Sequence, residues 1–121
     1  MNQDAVITVL QALASPARLD VYRLLVRTGP EGMVAGEIAQ ALGLPPTNLS
    51  FHLKALAQAG LLTACAEGRY QRYRAHIPSM LELIGYLTEE CCAGHPEQCL
   101  STPSGNACLD AALGRNELPP E

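Results

Sequence analysis

The sequence predicts a mostly α-helical, winged helix-turn-helix fold: five helices with a β-hairpin wing. Three observations predict it. Apolar residues recur at helical spacing in five segments. Two of those segments are joined by a short turn holding Gly43, as in a helix-turn-helix. Two strand-like runs then flank Glu67-Gly68-Arg69, whose glycine marks a hairpin tip. The length of 121 residues suits a single domain. With 48% hydrophobic and 17% charged residues and no Trp, the composition is that of a packed aliphatic core rather than a disordered chain.

Val6, Ile7, Leu10, Leu13 and Ala14 predict a first helix over residues 4–14. Ser15-Pro16 supplies an N-cap and a proline at the first helical position of a second helix. That helix places Leu19, Tyr22, Leu24, Leu25 and Val26 in or near its buried stripe and stops around Gly29-Pro30. A third helix spans Ala35–Leu42, with Gly43 as a left-handed cap. A fourth runs from Pro46 to about Ala59 and ends at Gly60. Residues 61–66 and 70–77 form the hairpin, and Cys65, inside it, is expected to pack. Pro78-Ser79 opens a fifth helix through about Cys91. Beyond Gly94 the chain turns Pro-, Gly-, Ser- and Asn-rich, so residues 93–121 should be mostly loop, with one helical turn at residues 107–113.

On the fourth helix, at about 100° per residue, Leu49, Leu53 and Leu56 form a narrow stripe. Thr47, Phe51, Lys54 and Gln58 cluster opposite, with Asn48 and Ser50 on the flanks, and His52 beside the core stripe in a packing or capping position. A mainly polar face with one charge suits a helix in a major groove, where hydroxyls and amides meet base edges and Lys meets phosphate. The exposed Phe51 suits thymine methyls. The same face would also serve an ordinary solvated amphipathic helix. The wing favours nucleic acid: residues 67–74 hold Arg69, Arg72 and Arg74 with Tyr70 and Tyr73. Strand alternation puts Arg72 and Arg74 on one face and Tyr73 on the other. The DNA-binding candidates are therefore Thr47, Asn48, Ser50, Phe51, Lys54, Arg69, Arg72 and Arg74.

A net charge of −4 does not oppose this, because it is unevenly spread. Residues 1–78 hold seven basic and five acidic groups, whereas residues 79–121 hold one and seven. The longest nearly apolar stretch, residues 5–14, is half the length of a membrane helix and has no basic residue before it. A cytoplasmic chain is expected.

Ala14-Ser15-Pro16-Ala17-Arg18-Leu19, Asn48-Leu49-Ser50-Phe51-His52-Leu53-Lys54-Ala55-Leu56 and Ala59-Gly60-Leu61-Leu62 resemble the ArsR/SmtB family of metal-sensing repressors, and Glu67-Gly68-Arg69 with Tyr73-Arg74 resembles that family's wing. The resemblance covers about residues 5–90. It implies a homodimer, joined through the first and fifth helices, that binds double-stranded operator DNA and leaves it when an inducer arrives. Residues 1–92 would then be the DNA-binding and dimerisation domain, and 93–121 a Cys-containing acidic C-terminal tail. Two inducer sites common in the family are missing. Val34 and Gly36 stand where a Cys-x-Cys pair would lie on the third helix, and residues 79–90 contain no His.

The thiols offer another site. Five cysteines without an export signal do not make a disulfide framework, and Cys91, Cys92, Cys99 and Cys108 fall within eighteen residues. A helical wheel carries Cys91 along the stripe of Met80, Ile84 and Leu87 and turns Cys92 by about 100°. Joint use of the pair needs the helix to end there, and the six residues before Cys99 leave ample chain for its return. Three thiolates suit a soft ion. The arrangement resembles arsenite-responsive family members, so Cys91, Cys92 and Cys99 are assigned as arsenic(III) ligands, with Cys108 a substitute for the third. Competing readings are a buried hydrophobic Cys91, a zinc or cadmium site completed by His95, and a redox switch. Glu89 and Glu90 disfavour the last by raising thiol pKa values.

An enzyme of the thiol-dependent arsenate reductase type would need a Cys-x5-Arg loop. Gln71, Glu97, Gln98, Gly105 and Gly114 stand six positions after the cysteines, and none is Arg. A non-enzyme with no catalytic cofactor is expected. A winged protein-interaction module without DNA binding is a further alternative, opposed by Lys54 and the wing arginines.

Overall fold

The computed structural model of the chain describes residues 1–89. Helix α1 (Gln3–Leu13) is capped by the Asn2 side chain, which accepts from Ala5 N at 2.8 Å. Helix α2 (Pro16–Thr28) starts as expected, the Ser15 hydroxyl accepting from Arg18 N. Between the two helices Arg18 turns back. Its Nε donates to Ala12 O at 2.6 Å, and its Nη2 to Gln11 O at 3.4 Å beside the backbone hydrogen bond that Ala14 N makes to the same oxygen, so the guanidinium closes the end of α1. The Ala14–Arg18 run is thus one joint: Ser15 caps the start of α2, and Arg18 caps the end of α1.

A short 3₁₀ turn, Gly29–Glu31, leads to strand β1 (Met33–Val34) and helix α3 (Ala35–Leu42). Glu37 closes the first turn of α3 by accepting from Val34 N at 3.2 Å. Gly43, at φ 65° and ψ 32°, takes the left-handed conformation that only glycine adopts cheaply. Leu44 N reaches back to Ala39 O, and α4 (Pro46–Gln58) begins at once. The third and fourth helices therefore form the expected helix-turn-helix. Strands β2 (Leu62–Glu67) and β3 (Tyr70–Ala75) pair antiparallel around Gly68-Arg69, in the register Leu62↔Ala75 to Glu67↔Tyr70. β1 adds to the other side of β3, giving a three-stranded antiparallel sheet of order β1-β3-β2. At two residues, β1 is too short for sequence alternation to reveal it.

The core of the first eighty residues is aliphatic apart from Tyr22: Val6, Val9 and Ala12 of α1, Val21, Tyr22 and Leu25 of α2, Ile38 of α3, Leu49, Leu53 and Leu56 of α4, and Leu61 and Leu62. Ile7, Leu10, Leu19 and Val26 are exposed instead, because an apolar arc read from spacing is wider than the stripe the neighbouring helices cover. Cys65 is exposed rather than packed. β2 is an edge strand, and past Leu62 both of its faces meet solvent.

Helix α5 (Ile77–Leu87) crosses the division of the chain into Met1–Met80 and a unit beginning at Leu81. Its start is fixed within the first unit: the buried Ser79 hydroxyl donates to Gly60 O, and His76 Nδ1 is hydrogen-bonded to the same hydroxyl oxygen. Its end differs from the expected position near Cys91. Glu89 N turns to Tyr86 O, three residues back, and the Thr88 hydroxyl takes Ile84 O at 2.8 Å, so the last turn tightens and closes after Leu87. Leu83 is its buried apolar position, while Leu87, placed on the stripe by the wheel, is exposed. The helical turn expected at residues 107–113 lies outside the described residues. Among those described, no helix is long and apolar enough to cross a membrane.

Candidate nucleic-acid interface

Leu49, Leu53 and Leu56 are each at most 2% exposed and anchor α4 along one side, which fixes what the other side presents. Thr47, Asn48, Ser50, Phe51, Lys54 and Gln58 are all exposed, as their spacing predicted, and Phe51 is 70% exposed. His52 is half-buried, between the two sides. Pro46 at the first helical position needs no hydrogen-bond partner for its nitrogen, and no acidic residue stands in the first turn. The positive end of the helix dipole is therefore not neutralised from within. The Ser50 hydroxyl donates to Pro46 O at 3.1 Å, so in this rotamer its oxygen offers lone pairs outward.

In the wing, Arg69 is exposed at the two-residue turn, and Tyr70 beside it is 64% exposed. Tyr70 is not among the sequence candidates. Its signal is its place at the hairpin tip, where neither face has a neighbour to cover it. Arg72 and Arg74 share a face, as strand alternation required, but both face the 3₁₀ turn. Arg72 Nε bonds Glu67 Oε2 at 2.9 Å, and its Nη1 lies 3.3 Å from Glu31 O and 3.4 Å from Gly32 O. Arg74 Nε donates to Pro30 O at 2.7 Å. The Glu67 hydrogen bond is the main influence raising the Arg72 pKa above its ordinary value, so that guanidinium stays charged. Two of the three wing arginines thus brace the base of the wing, and the third, Arg69, has no partner among the described residues.

Cys91, Cys92 and Cys99, with His95 and Cys108, lie outside the described residues. Among the described residues no group of three or more His, Cys, Asp or Glu is disposed to hold a metal ion.

Residues 13–64, from the end of α1 to the start of β2, match a helix-turn-helix domain family. The HTH-type transcriptional regulator CmtR of Mycobacterium tuberculosis is 33% identical over 98 residues, which are 81% of this chain and 80% of that protein. An NMR structure of the homodimeric winged helix-turn-helix DNA-binding domain of a possible ArsR-family regulator from Mycobacterium bovis superposes with a TM-score of 0.57 at 33% identity. It covers 78% of this chain and 84% of that one. An ArsR-like regulator from Rhodococcus shares the fold at 23% identity, with a TM-score of 0.64 and 81% and 89% coverage. With a third of its residues in common with such regulators over four-fifths of their length, and the same order of recognition helix and wing, this chain belongs to the ArsR family of winged helix-turn-helix transcriptional regulators.

Proposed function

We propose that this regulator is a cytoplasmic repressor that binds double-stranded operator DNA as a homodimer and releases it when arsenic(III) binds Cys91, Cys92 and Cys99. The observation that carries DNA binding is the outward side of α4: Thr47, Asn48, Ser50, Phe51 and Lys54 are exposed together on a helix anchored by three buried leucines. These side chains lie in the major groove, Lys54 and the wing-tip Arg69 neutralise phosphates, and Tyr70 lies along the backbone. Arg72 and Arg74 hold the wing at the angle that lets Arg69 reach. The homodimer reading draws on the homodimeric relative and on the exposed apolar residues Ile7 and Leu10 of α1 and Leu81 and Leu87 of α5. Residues 1–92 are the DNA-binding and dimerisation domain, and 93–121 the acidic tail.

The inducer assignment rests on donor chemistry. Two adjacent cysteines and a third separated from them by six residues provide three soft sulfurs and no hard oxygen ligand in the set. Each thiol gives its proton to one hydroxyl of arsenous acid, which leaves as water, so three S–As bonds form with no change of oxidation state. Cys99 is thereby drawn back toward Cys91 and Cys92, just beyond α5, and the fifth helix carries that change into the dimer. Each tenfold loss of operator affinity needs only about 1.4 kcal/mol of differential binding.

The test is anisotropy of a labelled operator fragment under reducing conditions, titrated separately with arsenite, zinc and cadmium. Release by arsenite at one equivalent per protomer is expected, and Cys91→Ser and Cys92→Ser should bind DNA normally yet fail to release. Full release of both variants overturns the ligand assignment. Release by zinc or cadmium alone transfers it to the tetrahedral alternative, which His95 between the thiols favours. A complex that ignores all three ions, and dissociates only on thiol oxidation, makes the chain a redox switch.

A further inference from the structure

We infer that Phe51 is the specificity-determining residue of the recognition helix and reads the 5-methyl group of one thymine in each half of the operator. The inference rests on the DNA-binding reading above and goes beyond it by naming the base. Phe51 is the chain's sole Phe, and at 70% exposure it is the most exposed large apolar side chain among the described residues. None of the described residues covers it: the helix is anchored from the opposite side by Leu49, Leu53 and Leu56. That anchoring also fixes the stretch of helix backbone that carries the ring.

Its surroundings decide what covers it. Thr47, Asn48, Ser50, Lys54 and Gln58 share or flank the face, and all are exposed and polar. One ring among five polar side chains makes no contiguous apolar patch of the several hundred Å² that protein docking uses. It does match a B-DNA major groove, a mosaic of hydrogen-bonding edges in which the thymine methyl is the one apolar group. Phe51 has no atom that can hydrogen-bond a base, so a methyl contact is the readout open to it. Ser50, one position earlier, has its proton on Pro46 O and meets hydrogen-bonding edges instead.

The experiment uses the full-length chain and a duplex it selects from a randomised library. Each thymine is replaced singly by deoxyuracil, which removes the methyl and leaves base pairing intact. At one thymine in each half, the unmodified protein should lose about fourfold in affinity, the worth of one methyl-sized group taken out of water. Phe51→Ser should bind the two duplexes equally, and Phe51→Leu, which keeps an apolar side chain, should keep part of the preference. Because Phe51 lies outside the core, neither variant disturbs folding. No methyl-sensitive thymine, or a penalty undiminished in Phe51→Ser, overturns the inference while leaving DNA binding intact. Selection of no duplex at all overturns both.

Discussion

Tyr22 is the one buried side chain among the described residues whose polar atom has no hydrogen-bond partner there. It is 5% exposed on α2, and burial pushes its phenol pKa upward, so the hydroxyl stays neutral where an unfolded chain's would ionise. That one atom bears on both stability and its pH dependence. A buried, unmatched hydroxyl costs about 1–3 kcal/mol. Tyr22→Phe should therefore raise stability at neutral pH by about 1 kcal/mol, as read by urea denaturation. The sign of the pH effect is also set. With the folded pKa above the unfolded one, the phenol's contribution is intact below pH ~10 and is lost as pH rises through the folded value, because the unfolded state gives up its proton first. Tyr22→Phe should flatten the alkaline limb of the stability curve. A variant that is less stable at pH 7 would mean that a partner outside the described residues or an ordered water satisfies the hydroxyl.

Among the described glycines, Gly32 is the one closely approached by another element, strand β3. It sits at φ 67° between the 3₁₀ turn and β1, and a Cβ there would collide with Tyr73 O and stand 2.7 Å from Arg74 Cγ. Gly43 has a similar φ of 65° but open space around it. Gly43→Ala should thus cost only the left-handed strain, about 1–2 kcal/mol. Gly32→Ala should cost more than about 3 kcal/mol, because a backbone carbonyl in a paired strand cannot yield without breaking the β1–β3 ladder. Equal losses in denaturation midpoint would refute that ranking. The two glycines also mark the boundary of what was legible in the sequence. The end of α3 and the start of α4 could be read because Gly43 and Pro46 signal them locally, and Leu49, Leu53 and Leu56 because their stripe is narrow. The alternation of Arg72 and Arg74 could be read too, but their destinations could not: Pro30, Glu31 and Gly32 lie some forty residues away, and the strand that brings them close is two residues long. The end of α5 escaped for another reason. No Gly or Pro marks it, and it closes through the Thr88 side chain and a tightened last turn.

At the scale of the whole molecule, a chain of net charge −4 must bind a polyanion, so attraction has to come from few, well-placed cations. Lys54 stands on the outward side of α4 and Arg69 at the wing tip, both exposed, while Arg72 and Arg74 are engaged with backbone carbonyls and Glu67. In the proposed dimer Lys54 and Arg69 supply about four phosphate contacts. Each contact contributes about −0.9 to the slope of log affinity against log salt, so a slope near −4 is expected. If Arg72 and Arg74 instead left the 3₁₀ turn to bind phosphate, the count would double and the slope would approach about −7. Arg69→Ala should reduce the slope by about 2, one lost contact per protomer, with little change in stability. Arg74→Ala should leave the slope nearly unchanged yet weaken binding at every salt concentration, because it frees Pro30 O and loosens the base of the wing. A slope reduction in Arg74→Ala equal to that in Arg69→Ala would show the bracing arginine to be a phosphate ligand, and the wing would then have to shift on DNA to release it.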